Sequence, residues 1–196
     1  MRILIGSVEP FQRQAAGHVI LDHLSGPGAG ARQALAAHYL RGFAHIVEIG
    51  GAGLPIDGFL THRPASVTII DPKITPHEAD TLNGAPCKVR HLRAKVQQAH
   101  LGLEPRGYGL VLLGLSLRAW GDAPGLGPHL LDLVDNAGLV VIDHSSALER
   151  CAPQAAAIVA RPGLRLDLTI DLDLDDAAIR QTPFGKRRFH VLRARS

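Results

Sequence analysis

Cysteine is scarce in this chain: Cys87 and Cys151 stand alone among 196 residues, with no Cys-x-x-Cys pair. Neither a disulfide framework nor a thiolate zinc site follows from two such isolated residues. Aromatic residues make up only 4%, too few for a base-stacking platform of the kind single-stranded nucleic acid needs. No apolar run approaches the ~18 residues of a membrane helix, and the opening Met1-Arg2-Ile3-Leu4-Ile5-Gly6 is too short an apolar run for a signal peptide. A cytosolic (cytoplasmic) protein with no membrane segment is expected. A dominant charge is lacking as well, because 21 Lys and Arg face 18 Asp and Glu, leaving +3 with the histidines neutral. A nucleic-acid partner is therefore disfavoured. The 11 histidines contain no His-x-x-x-His spacing. His77-Glu78 and Asp143-His144 are adjacent pairs, and chain neighbours rarely point at one ion, so no metal is expected.

What the chain does have is apolar residues in short blocks. At 46% hydrophobic, 196 residues suffice for one sizeable core and are short for two, so residues 1–196 read as a single domain. The most informative block is His45-Ile46-Val47-Glu48-Ile49-Gly50-Gly51-Ala52-Gly53-Leu54-Pro55, followed by Val67-Thr68-Ile69-Ile70-Asp71. Each half is a β-branched run that ends abruptly in a polar or glycine-rich turn, the pattern of the carboxyl end of a buried parallel strand. Glycines in the first turn permit positive φ and close backbone approach to a ligand. Asp71 at the second strand end is placed to accept hydrogen bonds from a ribose diol. A dinucleotide fingerprint counted from Gly51 would need its third glycine at Ile56, which weakens a pyrophosphate reading. Glu48 argues the same way, since a carboxylate repels a diphosphate and attracts an ammonium group.

An acid, one apolar residue, a glycine turn and a later ribose acid resemble the first motifs of class I S-adenosylmethionine-dependent methyltransferases. The resemblance implies an α/β, Rossmann-like doubly wound and mostly parallel sheet, with a C-terminal antiparallel hairpin and an N-terminal helical extension. It implies S-adenosyl-L-methionine as cofactor, held by Glu48, Gly50, Gly51, Gly53 and Asp71. Residues 1–44 would form the extension or lid and 45–196 the core; the other reading of the extension is a helical pair that covers an edge. The chain departs from the family after the third core strand, where Leu92-Arg93-Ala94-Lys95 stands in place of an acid that meets adenine. Gln97 or a backbone carbonyl is the substitute on offer. The corner Gly51-Ala52-Gly53-Leu54-Pro55 is also similar to nicotianamine-synthase-like enzymes, which transfer the aminobutyrate group of the same cofactor.

The remaining pattern fills in the elements. Helix-compatible spacing runs over about 10–24 and 31–41 with a turn at Ser25-Gly26-Pro27-Gly28 between them, and a helix is expected from Pro55. Strands are expected at 45–49, 66–70, 88–92, 109–115 and 138–143, a Pro-containing connection between the second and third, and a helix over roughly 125–135. Strict alternation of leucine or isoleucine with polar residues from Leu164 to Asp175 predicts a half-exposed edge strand. After Thr182-Pro183-Phe184-Gly185, Lys186 to Arg195 is a second extended run whose cations face those carboxylates. Asp143-His144 closes the fifth strand on the ligand side, and an imidazole titrating near neutrality makes His144 the candidate base, with Asp143 beside it. The competing reading is a strand-end histidine satisfied by local backbone. Ser116 is a second candidate for the same cleft. Methyl transfer to a small molecule is the expected activity; aminobutyrate transfer and a non-catalytic adenosyl-binding module are the alternatives.

Overall fold

The structure, a computed structural model, describes residues 27–51, 53–113, 125–146, 151–173 and 186–195. The expected helix over 10–24, Ser116 and the Thr182-Pro183-Phe184-Gly185 turn lie outside the described residues. The valine, isoleucine and leucine blocks are too short for helices and too continuous for half-exposed strands, and they settle in the middle of one sheet. Its strands are β1 His45–Ile49, β2 Ser66–Ile70, β3 His77–Leu82, β4 Ala85–Leu92, β5 Tyr108–Leu113, β6 Leu139–Ser145, β7 Leu164–Asp173 and β8 Lys186–Ala194. They stand in the order β3-β4-β2-β1-β5-β6-β8-β7. β4, β2, β1, β5 and β6 are parallel. β8 runs antiparallel to β6 and β7 antiparallel to β8, the expected terminal hairpin. The chain leaves β1 toward β2 and returns on its other side as β5, so the carboxyl ends of β1 and β5 flank the point where strand order reverses. Sheets of this kind bind ligands there.

Both faces are covered. Helix α1, Pro27–Tyr39, sets Ala36 and Ala37 against Ile46, Val111 and Val141. Helices α2, Leu126–Asn136, and α3, Ala152–Val159, cover the other face. There Leu130, Leu133, Val134, Ala155 and Ile158 pack on Val47, Leu110, Val140 and Ile142. The spacing of Leu130, Leu133 and Val134 is the apolar stripe of a surface helix.

Several expectations are corrected. No α-helix follows Pro55: Pro55 is extended (φ −61°, ψ 146°) and only a 3-10 turn forms over Ile56–Phe59. Pro64 pushes its predecessor out of the helical region, which leaves too few residues for a helix. Pro27 and Gly28 are already helical rather than part of a turn. The connection before β4 contains β3, a polar antiparallel edge strand. Its signal was Asn83-Gly84, which carries positive φ at both residues (51° and 75°) as a two-residue hairpin turn requires. α3 went unread because five of its eight residues are alanine or proline and offer little periodicity. The alternation in β7 does not keep one face, since a bulge between Leu166 and Leu168 reverses it. Leu164 therefore packs with the α2 and α3 side while Leu168 and Ile170 pack with the α1 side.

Candidate functional site

The site begins with the turn after β1. Gly50 has φ +93° and its N–H donates to the Ile70 carbonyl at 2.9 Å, which ties the turn to β2. Gly51 is required for space: a Cβ there would lie 2.2 Å from Glu48 Oε2. Glu48 thus lies directly beneath the turn, 0% exposed. Its Oε1 accepts from Gln33 Nε2 at 2.5 Å and its Oε2 from the Ile56 N–H at 2.8 Å. Gln33 Nε2 also donates to the Leu54 carbonyl at 2.7 Å. Burial pushes the Glu48 carboxyl up to about 8; the Ile56 and Gln33 donors oppose that shift, and nearby Asp57 and Asp71 add to it. Gly53 is half-buried in the same turn.

Asp71 ends β2, half-buried, with Oδ1 accepting the Lys73 N–H at 2.7 Å. That short bond within the chain fixes the carboxylate beside the glycine turn, since Ile49 pairs with Ile70 across the two strands. Beyond β4, Leu92, Arg93, Ala94, Gln98 and His100 line part of an open hollow of about 590 Å³. Gln98 rather than Gln97 faces that hollow, and its Oε1 accepts the Lys95 N–H at 3.3 Å.

At the end of β6, Asp143 and His144 point to opposite faces, as adjacent strand residues must. Asp143 is held by two guanidinium groups, Arg32 Nε at 2.6 Å on Oδ2 and Arg187 Nε at 3.0 Å on Oδ1. Arg187 Nη2 also donates to the Asp143 carbonyl at 3.1 Å. Burial lowers the Arg187 pKa and Asp143 opposes this. His144 is buried against His190, their rings stacked at 5.5 Å and 19°. Nδ1 of His144 lies 3.0 Å from the Ser145 carbonyl and can only donate to it. In the neutral ring Nε2 is then an acceptor, which fits Nε2 of His190 as donor at 3.4 Å. His190 Nδ1 in turn accepts from the Thr169 hydroxyl at 2.9 Å. Burial lowers both imidazoles, His190 to about 4.

The structure therefore gathers Glu48, Gly50, Gly51, Gly53 and Asp71 around one turn and places Asp143 and His144 two strands away, beyond β5. Sequence reading missed Arg32, Gln33, Arg187 and His190. A signal existed for the first two. Ala29, Ala36, Ala37 and Leu40 are buried, and Arg32 and Gln33 fall on that same apolar stripe, where polar side chains need partners.

No family model matches the sequence, and no curated protein matches it either. Solved structures do match. One is the 1,6-didemethyltoxoflavin-N1-methyltransferase of Burkholderia thailandensis, bound to its substrate and S-adenosylhomocysteine. It is 17% identical with a TM-score of 0.57, over 95% of this chain and 94% of that one. The overlap is near-complete for both chains. The chain has the class I methyltransferase fold. A second methyltransferase of this fold is magnesium protoporphyrin IX methyltransferase (ChlM) of Synechocystis PCC 6803, with bound S-adenosylmethionine. It is 11% identical with a TM-score of 0.56, over 94% and 87% of the two chains. Sp1610 of Streptococcus pneumoniae, in complex with S-adenosylmethionine and provisionally assigned as a tRNA (m1A22) methyltransferase, also shares the methyltransferase fold. It is 13% identical with a TM-score of 0.52, over 84% and 72%.

Proposed function

We propose that this chain is an S-adenosylmethionine-dependent methyltransferase acting on a small molecule, a single cytoplasmic domain with residues 1–44 as a helical extension. The observation that carries the reading is the turn at the end of β1, built over a buried acid and flanked by Asp71, on the methyltransferase fold. The residues suit the group. Asp71 offers a half-exposed carboxylate for a ribose diol, and the backbone of Gly50, Gly51 and Gly53 allows close approach where side chains would intrude. Glu48, buried beneath the turn with both oxygens hydrogen-bonded, would hold the turn in shape for the amino-acid end of the cofactor. The hollow past Leu92 lets Gln98 substitute for the missing adenine acid. When bound, the cofactor supplies an electrophilic methyl on sulfonium.

The chain's own residues then have to orient an acceptor and take its proton. His144 Nε2 is the atom for that proton, because the Ser145 carbonyl holds the other nitrogen protonated; it would take the proton on releasing its bond from His190 Nε2. Asp143 acts through position: clamped by Arg32 and Arg187, it fixes the strand end that carries His144. A small-molecule acceptor is favoured over nucleic acid because the acidic and basic blocks at the C-terminus pair with each other. Arg188 meets Asp171 at 2.6 Å and Arg193 meets Asp167 at 3.0 Å. Cys87 and Cys151 are buried and not joined in a disulfide, which suits a reducing compartment.

Incubation with S-adenosylmethionine and amine, thiol or hydroxyl acceptors, followed by mass separation of the by-product, tests the reading. S-adenosylhomocysteine is expected. Methylthioadenosine as dominant product would mean aminobutyrate transfer instead, and binding without any turnover would mean a non-catalytic module. His144→Ala is expected to lower turnover by roughly 10²-fold with cofactor affinity nearly intact.

A further inference from the structure

Gln33 belongs to α1, a helix outside the core 45–196, yet its amide closes the ligand turn at two points. One N–H reaches Glu48 beneath the turn, at 2.5 Å, and Nε2 also reaches the Leu54 carbonyl on its far limb, at 2.7 Å. The Ile56 N–H completes the closure on the other carboxyl oxygen at 2.8 Å. Glu48 is thus an acceptor on both oxygens, and each donor is neutral. A lysine or arginine at position 33 would pin the carboxylate as an anion. An amide supplies both bonds without adding a charge. Gln33 is itself 4% exposed and flanked by the buried core residues Ala36 and Ala37, so its side chain is held where it is by packing of the helix. Its chain neighbour Arg32 grips Asp143 on the acceptor side.

We propose that Gln33 is a positioning residue for the ligand turn, and that α1 must be docked for Gly50, Gly51 and Gly53 to receive the amino-acid end of an adenosyl ligand. The proposal rests on the methyltransferase reading for the identity of the ligand, and on the clasp geometry alone for the role of Gln33. The groups facing Glu48 are the Gln33 amide from α1, the Ile56 N–H and Asp57 from the 3-10 turn, and Asp71 from the end of β2. Of the two donors, Gln33 is the one a side-chain substitution can remove. Losing a donor to the charged form makes the carboxyl harder to ionise.

The test compares wild type with Gln33→Met, which keeps length and removes the donors, and Gln33→Asn, which keeps the amide but cannot span both acceptors. The first measurement needs no ligand: the ¹³C resonance of the Glu48 side-chain carboxyl is followed against pH. Wild type should titrate near 8, and both variants distinctly higher. The second is calorimetry with S-adenosylhomocysteine at pH 7, where the variants should bind about tenfold more weakly. In turnover the loss should appear as a raised KM for S-adenosylmethionine, and an unchanged KM would overturn the positioning role. An unchanged Glu48 titration, or a changed titration with unchanged S-adenosylhomocysteine affinity, would overturn the positioning role. A merely structural glutamine would lower melting temperature and shift the titration while leaving S-adenosylhomocysteine affinity in place. If wild type binds neither adenosyl compound, the functional reading fails, while the titration still decides the clasp. Should Gln33→Met not fold, Gln33→Asn carries both measurements.

Discussion

Glu48 and Asp143 end strands of one sheet and are sealed alike, 0% and 2% exposed, yet they are met by opposite kinds of partner. Glu48 receives neutral donors, an amide and a backbone N–H. Asp143 receives two guanidinium groups. Burial is costly for either charge, and the partner decides how the cost is met. Neutral donors offset it only in part, so Glu48 shifts to about 8 and holds its proton through neutrality. Cations provide a counter-charge in place, so Asp143 is an electrostatic rivet between α1, β6 and β8. The same residue chemistry thus serves as a protonation-poised clasp in one half of the site and as a fixed anchor in the other.

The sharpest way to break this contrast is Asp143→Ala. It leaves Arg32 and Arg187 buried without the carboxylate that holds them, and an uncompensated buried charge of this kind costs roughly 5 kcal/mol at the upper end. Urea unfolding should show a loss of that order; a loss below about 1 kcal/mol would mean the arginines find equivalent partners.

For Glu48 the expected signature is a slope with pH. Its folded value, about 8, lies above the ordinary 4.5, so between those limits the folded chain keeps a proton that the unfolded chain releases. The contribution is fully present below about pH 4.5 and is lost as pH rises to about 8, a change on the order of 5 kcal/mol. Glu48→Gln lacks that titration, though it leaves one of the two donors unmet. Its stability relative to wild type should therefore climb across this range, and parallel curves for the two proteins would refute the raised titration of Glu48.

A smaller effect is expected at the half-exposed acid. Asp71→Ala should weaken S-adenosylhomocysteine binding by roughly 1–3 kcal/mol in calorimetry through loss of a charge-assisted bond. Unchanged affinity would remove Asp71 from the site. The smallest belongs to the exposed ladder: Arg188→Ala breaks a pair with Asp171 on the surface. It should leave the urea midpoint almost unmoved, and less moved still in high salt.

The middle of the fold was readable because buried parallel strands are continuous apolar blocks. His45–Ile49 and Ser66–Ile70 match their expected limits, and the abrupt polar ends put Glu48, Asp71, Asp143 and His144 at strand termini. The edge was less readable. β3 has exposed or half-exposed residues throughout, so burial never imposed an apolar pattern on it, and only the Asn83-Gly84 turn betrayed the hairpin. In β7 the alternation was real, but a bulge that no single residue announces divided it between two faces.

Which acids end which strands is a local matter, since strand and turn preferences act over a few residues and leave their mark in the order of the chain. What those acids do was decided by the tertiary structure. Arg32 lies 111 residues from Asp143, Arg187 lies 44 from it, and Gln33 lies 15 from Glu48. No periodicity links such pairs. Their charge states follow from how much water the packed helix and strands exclude, and from which donor that packing delivers to each carboxyl.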